Sequence, residues 1–282
     1  MSSKIVNKSE ELKDVQKVCL ELLIEVKRIC DENNIRYFLY GGTLLGAIRH
    51  KGFIPWDDDV DIVMFREEYN KFIRVCEYKL DNDKYYLQTI KNDINATSKW
   101  CKLHKKNTAF IDRVVRKEAF KGIAIDIFAI DNAPNSKIEQ DIFAIVHDLT
   151  NLIYFERFKK PQKYKSIKGK LFKSVVDITR IIPKKNMKLL YEKRDLFFNK
   201  NNSEYVIHNS FRPFKKKIVK KEYFVEECKL FFEGIEFNVP KRWDDLLKDY
   251  YGKNYMELPP EEQRICHSAK IVSVSKSWQE FM

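Results

Sequence analysis

The chain has 282 residues, enough to bury a sizeable core without disulfides or a structural metal. Its 44% hydrophobic and 13% aromatic content excludes a disordered chain, and eight glycines with eight prolines exclude a collagen-like or linker-dominated one. Lys+Arg 53 against Asp+Glu 41 leaves +12, which suits an anionic partner (nucleic acid, a membrane surface or a phosphate-rich substrate) and says nothing about fold.

Leu12, Val15, Val18, Cys19, Leu22, Leu23, Val26 and Ile29 recur at three and four, predicting a helix that opens at Ser9. Residues 35–40 read as a buried strand ending in Gly41-Gly42, residues 43–50 as a short helix, and 52–56 as a loop. Residues 60–64 form a second predicted strand with carboxylates at its entry, and 66–80 a helix. Strand candidates follow at 85–90, 98–104, 108–111 and 122–130, and residues 131–135 read as a turn. Residues 136–158 and 167–198 are predicted helical. Strands return at 229–232 and 235–239, a helix at 242–251 stops at Gly252, and an irregular or helical segment follows Pro259-Pro260. The expected fold is α/β (α+β): a mixed sheet flanked by helices, one unit over 1–282 with a helical insertion at about 136–200.

Cys19, Cys30, Cys76, Cys101, Cys228 and Cys266 include no C-x-x-C pair, so a zinc ribbon or thioredoxin-like motif is unsupported and a reducing compartment is expected. The first residues lack the apolar core of a signal peptide. Residues 142–155 are interrupted by polar side chains and fall short of the roughly 20 apolar residues of a membrane helix. The expectation is a cytoplasmic protein, soluble or peripheral to the inner face of the membrane.

The chemistry concentrates in Gly41-Gly42-Thr43-Leu44-Leu45-Gly46 and Trp56-Asp57-Asp58-Asp59-Val60-Asp61-Ile62. Carboxylates this dense at the entry of a buried strand repel one another, and Asp is disfavoured in strands. Asp59 and Asp61, two apart, point to one face, half of a site for Mg²⁺ or Mn²⁺. Asp126, inside an otherwise apolar strand, is expensive unless paired or metal-bound and would complete a three-carboxylate site. The alternatives are a solvated acidic loop and a structural Asp126. The glycines permit close backbone approach, and the following helix start offers N–H groups to phosphate; a plain tight turn is the competing reading.

Residues 42–64, GTLLGAIRHKGFIPWDDDVDIVM, closely resemble the signature of the LicD family, phosphocholine transferases and related enzymes of surface polysaccharide assembly, with fukutin-like proteins as distant relatives. Residues 122–131 (GIAIDIFAID), 232–240 (FEGIEFNVP), 250–260 (YYGKNYMELPP) and His267 resemble it too, with Ala129-Ile130 departing from a Pro-Leu-like pair. The resemblance implies a nucleotidyltransferase-like fold and a metal site of Asp59, Asp61 and Asp126. Gly41, Gly42 and Thr43 would lie at phosphate oxygens, and Arg49, Lys102 and Lys105 are candidate charge clamps. His267 would contact phosphate or act as base. The implied reaction moves a substituted phosphate from a CDP-linked donor such as CDP-choline to a sugar hydroxyl of a cell-surface glycan (lipopolysaccharide, teichoic acid or capsule), which can be lipid-linked, and releases CMP. Choline calls for an aromatic cage, for which Trp56 and Trp100 are available; ribitol and glycerol remain open.

Competing readings are an Asp-x-Asp glycosyltransferase using a nucleotide-sugar, a catalytically dead scaffold, and a nucleic-acid binder. The last lacks any helix-turn-helix, RRM or zinc-finger pattern, so no nucleic-acid partner is expected. Basic residues alternate with apolar ones at helical spacing over 162–188, which predicts either a helix lying on an anionic membrane or one packed on the core with solvated lysines.

Overall fold

The computed structural model describes residues 8–111, 118–159, 164–264, 266 and 271–282. Helix α1 (Lys8–Glu32) buries Cys19, Leu22, Leu23, Val26 and Ile29 completely, the face its three–four spacing predicts. Strand β1 (Phe38–Leu39) is shorter than the predicted 35–40, because only these two residues find ladder partners, Val63 and Ile62. Tyr40 already caps helix α2 (Gly41–Arg49), which starts two residues ahead of expectation. Strand β2 (Asp61–Phe65) passes directly into α3 (Arg66–Lys79). Strands β3 (Tyr85–Gln88), β4 (Cys101–Lys105) and β5 (Ala109–Ile111) fall within their predicted segments, β4 ending one residue later.

Strand β6 (Ala124–Ala133) is the spine of the sheet. One edge pairs in parallel with β2, Asp61 opposite Asp126. The other edge takes β4 along its first half and β7 (Tyr205–His208) along its second, both antiparallel. β3 flanks β4 and β8 (Ile218–Lys220) flanks β7, giving a seven-stranded mixed sheet. The predicted turn at 131–135 is therefore corrected: the strand runs through Asp131 and Asn132 because β7 supplies partners for their backbones.

Helices α4 (Lys137–Phe158), α5 (Ile167–Ile178) and α6 (Lys184–Asp195) are inserted between β6 and β7. The predicted helix 167–198 is broken between α5 and α6 by a 3₁₀ turn and Pro183, which lacks the N–H to continue a ladder. Tyr154 and Phe158 stack under the insertion at 4.4 Å between ring centroids and, with Met187 and Tyr191, form a satellite core.

Strands β9 (Glu227–Phe232) and β10 (Ile235–Pro240) were expected to rejoin the sheet. They pair only with each other, in a hairpin whose turn residues Glu233 and Gly234 have φ of 50° and 77°. β7 and β8 fill the sheet instead. The Glu233 carboxylate accepts from the Phe53 N–H at 3.0 Å and its own N–H donates to the Lys51 carbonyl at 2.9 Å, so the hairpin tip pins the loop leading into the aspartates. Helix α7 (Trp243–Tyr251) ends at Gly252, φ 92°, as predicted, and β11 (Ile271–Ser273) pairs with β5. No helix among the described residues is long and apolar enough to cross a membrane.

Candidate active site

Asp61 is held by its backbone. Its N–H donates to Thr43 Oγ1 at 2.8 Å, and its carbonyl accepts from the Tyr40 N–H at 3.0 Å. Thr43 sits in the first turn of α2, so the start of that helix clamps the start of β2. Thr43 is itself buried, and its hydroxyl oxygen serves Asp61 rather than opening onto the cleft. Upstream, the Asp57 carbonyl accepts from Gln16 Nε2 of α1 at 2.8 Å, and the Cys266 thiol lies 3.2 Å from Asp58 Oδ2.

The two glycines make room for carboxylates. A Cβ on Gly41, whose φ is +55°, would lie 3.0 Å from Asp61 Oδ2, and one on Gly42 would lie 2.7 Å from Asp57 Oδ2. Glycine is needed at both positions for the acidic side chains to pack against the helix start. Amides in that first turn have no partner within the helix, which leaves the place suited to anions.

Asp61 and Asp126 face each other across the parallel ladder, and the Asp126 N–H donates to the Val60 carbonyl at 2.8 Å. Burial pushes the Asp61 carboxyl well up from its ordinary range, and the charges of Asp59, Asp126 and Asp57 push it further; Lys102 alone pulls it back. Lys102 Nζ lies 2.6 Å from Asp126 Oδ1. Burial works against the Lys102 charge, but Asp126, Asp59 and Asp61 outweigh it and raise the ammonium's pKa.

All the carboxylate oxygens here are hard donors, the chemistry Mg²⁺ or Mn²⁺ prefers, and their mutual repulsion is the kind a cation relieves. Among the described residues, no three His, Cys, Asp or Glu side chains already stand as a closed ligand set. The Lys102 ammonium is seated on Asp126.

Asp57, Asp59, Asp61 and Asp126 line one side of a cleft of about 820 Å³, together with Gly42, Arg49 and Trp56. Its remaining walls come from segments that sequence reasoning did not assign to the site: Tyr40, His208, Phe211, Arg212, Tyr250 and Tyr255 among them. Trp100 is also in the wall, its ring 5.0 Å from Phe128 and 5.2 Å from Phe211. The Arg264 guanidinium covers Trp56 at 5.3 Å. Arg49 donates to the carbonyls of Tyr255 (3.1 Å) and Glu257 (3.0 Å), so it anchors the segment after α7 at the cleft rim.

Burial, with Lys217 and Arg212 nearby, drives the pKa of the His208 imidazole well down. Lys105 lies elsewhere, paired with Glu21 of α1, which removes it from the charge clamps. A smaller cavity of about 260 Å³ meets the cleft at Asp59 and Asp126 and holds Lys102 and His104. His267 lies outside the described residues.

Comparison with known proteins bears on this arrangement. Residues 34–145 match the family described as LicD/FKTN/FKRP, nucleotidyltransferase domain. The chain is 32% identical over 268 residues to the lipopolysaccharide cholinephosphotransferase LicD of Haemophilus influenzae, covering 91% of this chain and 95% of that protein. A stretch of 54 residues is 44% identical to the human ribitol 5-phosphate transferase FKRP, 18% of this chain and 11% of that one. Another of 73 residues is 36% identical to an uncharacterized protein of Rickettsia typhi, 24% of each.

Proposed function

Because this chain belongs to the LicD family and is a LicD-like phosphotransferase, we propose that it transfers phosphocholine from CDP-choline to a sugar hydroxyl of lipopolysaccharide or a related cell-surface glycan, releasing CMP. The observation that carries this reading is the joining, in one cleft, of four aspartates beside a helix start with a wall of aromatic rings.

Each part of the cleft matches a part of the reaction. Phosphoryl transfer needs charge neutralisation and in-line positioning more than covalent help. Asp59 and Asp61 would hold Mg²⁺ or Mn²⁺, and Lys102 would move from Asp126 to the substrate, leaving that carboxylate to take the acceptor proton. The bound cation would neutralise charge on the diphosphate. The Gly41–Gly42 turn receives phosphate oxygens through its amides, and Lys102 and Arg212 supply positive charge beside them. The Trp100–Phe128–Phe211 wall suits a trimethylammonium group, which aromatic faces attract. Attack by the sugar oxygen forms the new P–O bond, the P–O bond to CMP breaks, and the hydroxyl proton passes to Asp126.

Incubating the purified protein, a divalent cation and a glycan acceptor with CDP-choline, CDP-ribitol, CDP-glycerol or a UDP-sugar tests this. CMP and a phosphocholine-bearing product should appear with CDP-choline. CMP from CDP-ribitol or CDP-glycerol alone would reassign the transferred group, and UDP from the UDP-sugar without CMP from any CDP donor would make the protein a glycosyltransferase.

The pH profile gives a separate check. Asp61 must shed its proton to hold a cation, and Lys102 is the charge that favours that loss. Lys102→Met should move the acidic limb of kcat/KM to higher pH, by about one unit. A limb that stays in place, or moves to lower pH, would detach the profile from Asp61.

A further inference from the structure

The insertion between β6 and β7 turns its apolar side chains outward. On α4, Ile138, Ile142, Ile145, Val146, Leu149 and Leu152 are all exposed, Ile138 and Ile145 at 72% each. These positions recur at three and four and form one stripe along the helix. The face against the protein is mixed: Ala144, Tyr154 and Phe158 are buried there beside His147, Asn151 and Arg157. Asn151 accepts from Lys99 Nζ at 3.1 Å, and His147 Nε2 lies 3.1 Å from Lys217 Nζ. The helix thus carries apolar side chains on its outer face as well as its inner one, whereas a surface helix normally turns its apolar stripe only to the core.

Helix α5 repeats the pattern. Ile167, Leu171, Val175 and Ile178 are exposed, as is Ile181 in the turn that follows, and only Val176 is buried. The core-packed alternative for residues 162–188 holds only in part: Val176 and Met187 are buried, but these five side chains are not covered, and residues 162 and 163 lie outside the described set. α4 and α5 are in contact, and Arg157 of α4 donates to Thr179 Oγ1 at 3.4 Å and to the Ile182 carbonyl in the segment that follows α5. Exposed apolar side chains along two helices in contact with each other mark an interaction site.

We propose that α4 and α5 form a docking face for an anionic lipid bilayer. The choice of occupant rests on charge. Lys165, Lys168, Lys170 and Lys185 are exposed in and beside α5. The acidic group within α5, Asp177, is already neutralised by Lys173 at 2.6 Å and Arg180 at 3.2 Å. Near the start of α4, Asp141 is paired with Lys215 at 2.6 Å. Two copies of this face would oppose like charges across an apolar contact. An anionic bilayer supplies both what the stripes lack, an apolar phase, and what the lysines lack, a negative surface. With no spanning helix among the described residues, the contact is one of helices lying in the interface plane. The inference rests on these faces and not on the identity of the transferred group.

The full chain is sedimented with phosphatidylcholine vesicles, with and without phosphatidylglycerol, at low and high salt, while sedimentation velocity without vesicles reads its oligomeric state. The protein should pellet with the anionic vesicles, at least about tenfold more than with the neutral ones, and high salt should release most of it. Ile145→Glu with Leu149→Glu, or Ile167→Glu with Leu171→Glu, should abolish pelleting with an unchanged melting curve, because all four side chains already face solvent. Lys168→Glu with Lys170→Glu should remove the preference for anionic lipid. A protein that stays in solution with both vesicles, or pellets equally with both, overturns the proposal. So do apolar-to-Glu variants that still bind, and so does a dimer that those variants split with no vesicle binding.

Discussion

Asp61→Asn should lower turnover by about a thousandfold or more while raising the unfolding midpoint, and these opposite signs distinguish a functional carboxylate from a structural one. Burial and the neighbouring Asp59, Asp126 and Asp57 all disfavour the Asp61 charge, so its ionised form is tolerated at a cost in stability. The amide of Asn removes the charge and keeps the shape. Both contacts that fix the residue, Thr43 Oγ1 on its N–H and the Tyr40 N–H on its carbonyl, are to its backbone and survive the change. Asp59→Asn should act in the same direction on turnover. Titration with Mg²⁺ or Mn²⁺, followed by calorimetry, should lose its signal in both variants, and EDTA should silence the unaltered protein. An Asp61→Asn protein that melts lower, or full activity in EDTA, would exclude the metal reading.

Much of this site was legible in the sequence because its acidic half is local. Asp59 and Asp61 are two residues apart, Gly41, Gly42 and Thr43 open a helix, and Asp126 stands out in an apolar strand. The pairing of Asp61 with Asp126 follows once β2 and β6 are neighbours. The other half of the cleft is not local. His208 ends a four-residue strand and Phe211 and Arg212 follow it in a basic stretch, where Tyr205, Val206 and Ile207 give too short an alternation to separate from loop. β9 and β10 carry the stronger strand pattern, so the sheet was expected to close with them. Period and propensity report that a segment is extended; they do not report which edge it joins. The role of Thr43 was hidden for a similar reason, since its hydroxyl serves a backbone N–H 18 residues away. The outward stripe of α4 was hidden differently: apolar spacing gives the stripe, and only the fold shows which way it points.

Arg66→Met should cost about 3–5 kcal/mol of stability, a large effect for an ion pair. Asp131 is buried in the middle of the sheet, with its side chain 1% exposed. Arg66, the first residue of α3, grips it as a fork: Nε donates to Oδ1 at 2.8 Å and Nη2 donates to Oδ2. Asn199 Nδ2 adds a third bond to Oδ1 at 2.6 Å, from the chain that returns out of the helical insertion. One carboxylate thereby ties the central strand, the helix after β2 and the end of the insertion. Removing the guanidinium leaves a buried charge with a single amide donor, a larger loss than the pair itself contributes. Arg66→Met with Asp131→Asn should therefore recover most of the loss, because the charge goes with its partner and Asn199 keeps an acceptor. The half-exposed Arg36–Glu227 pair, 35% and 42% accessible, should change stability little when Arg36 is replaced. Urea denaturation of the single and double variants reads all of this from the midpoints. Equal losses in the single and double variants would show that Arg66 acts by packing on Tyr69, whose ring it covers at 5.2 Å, and not through Asp131.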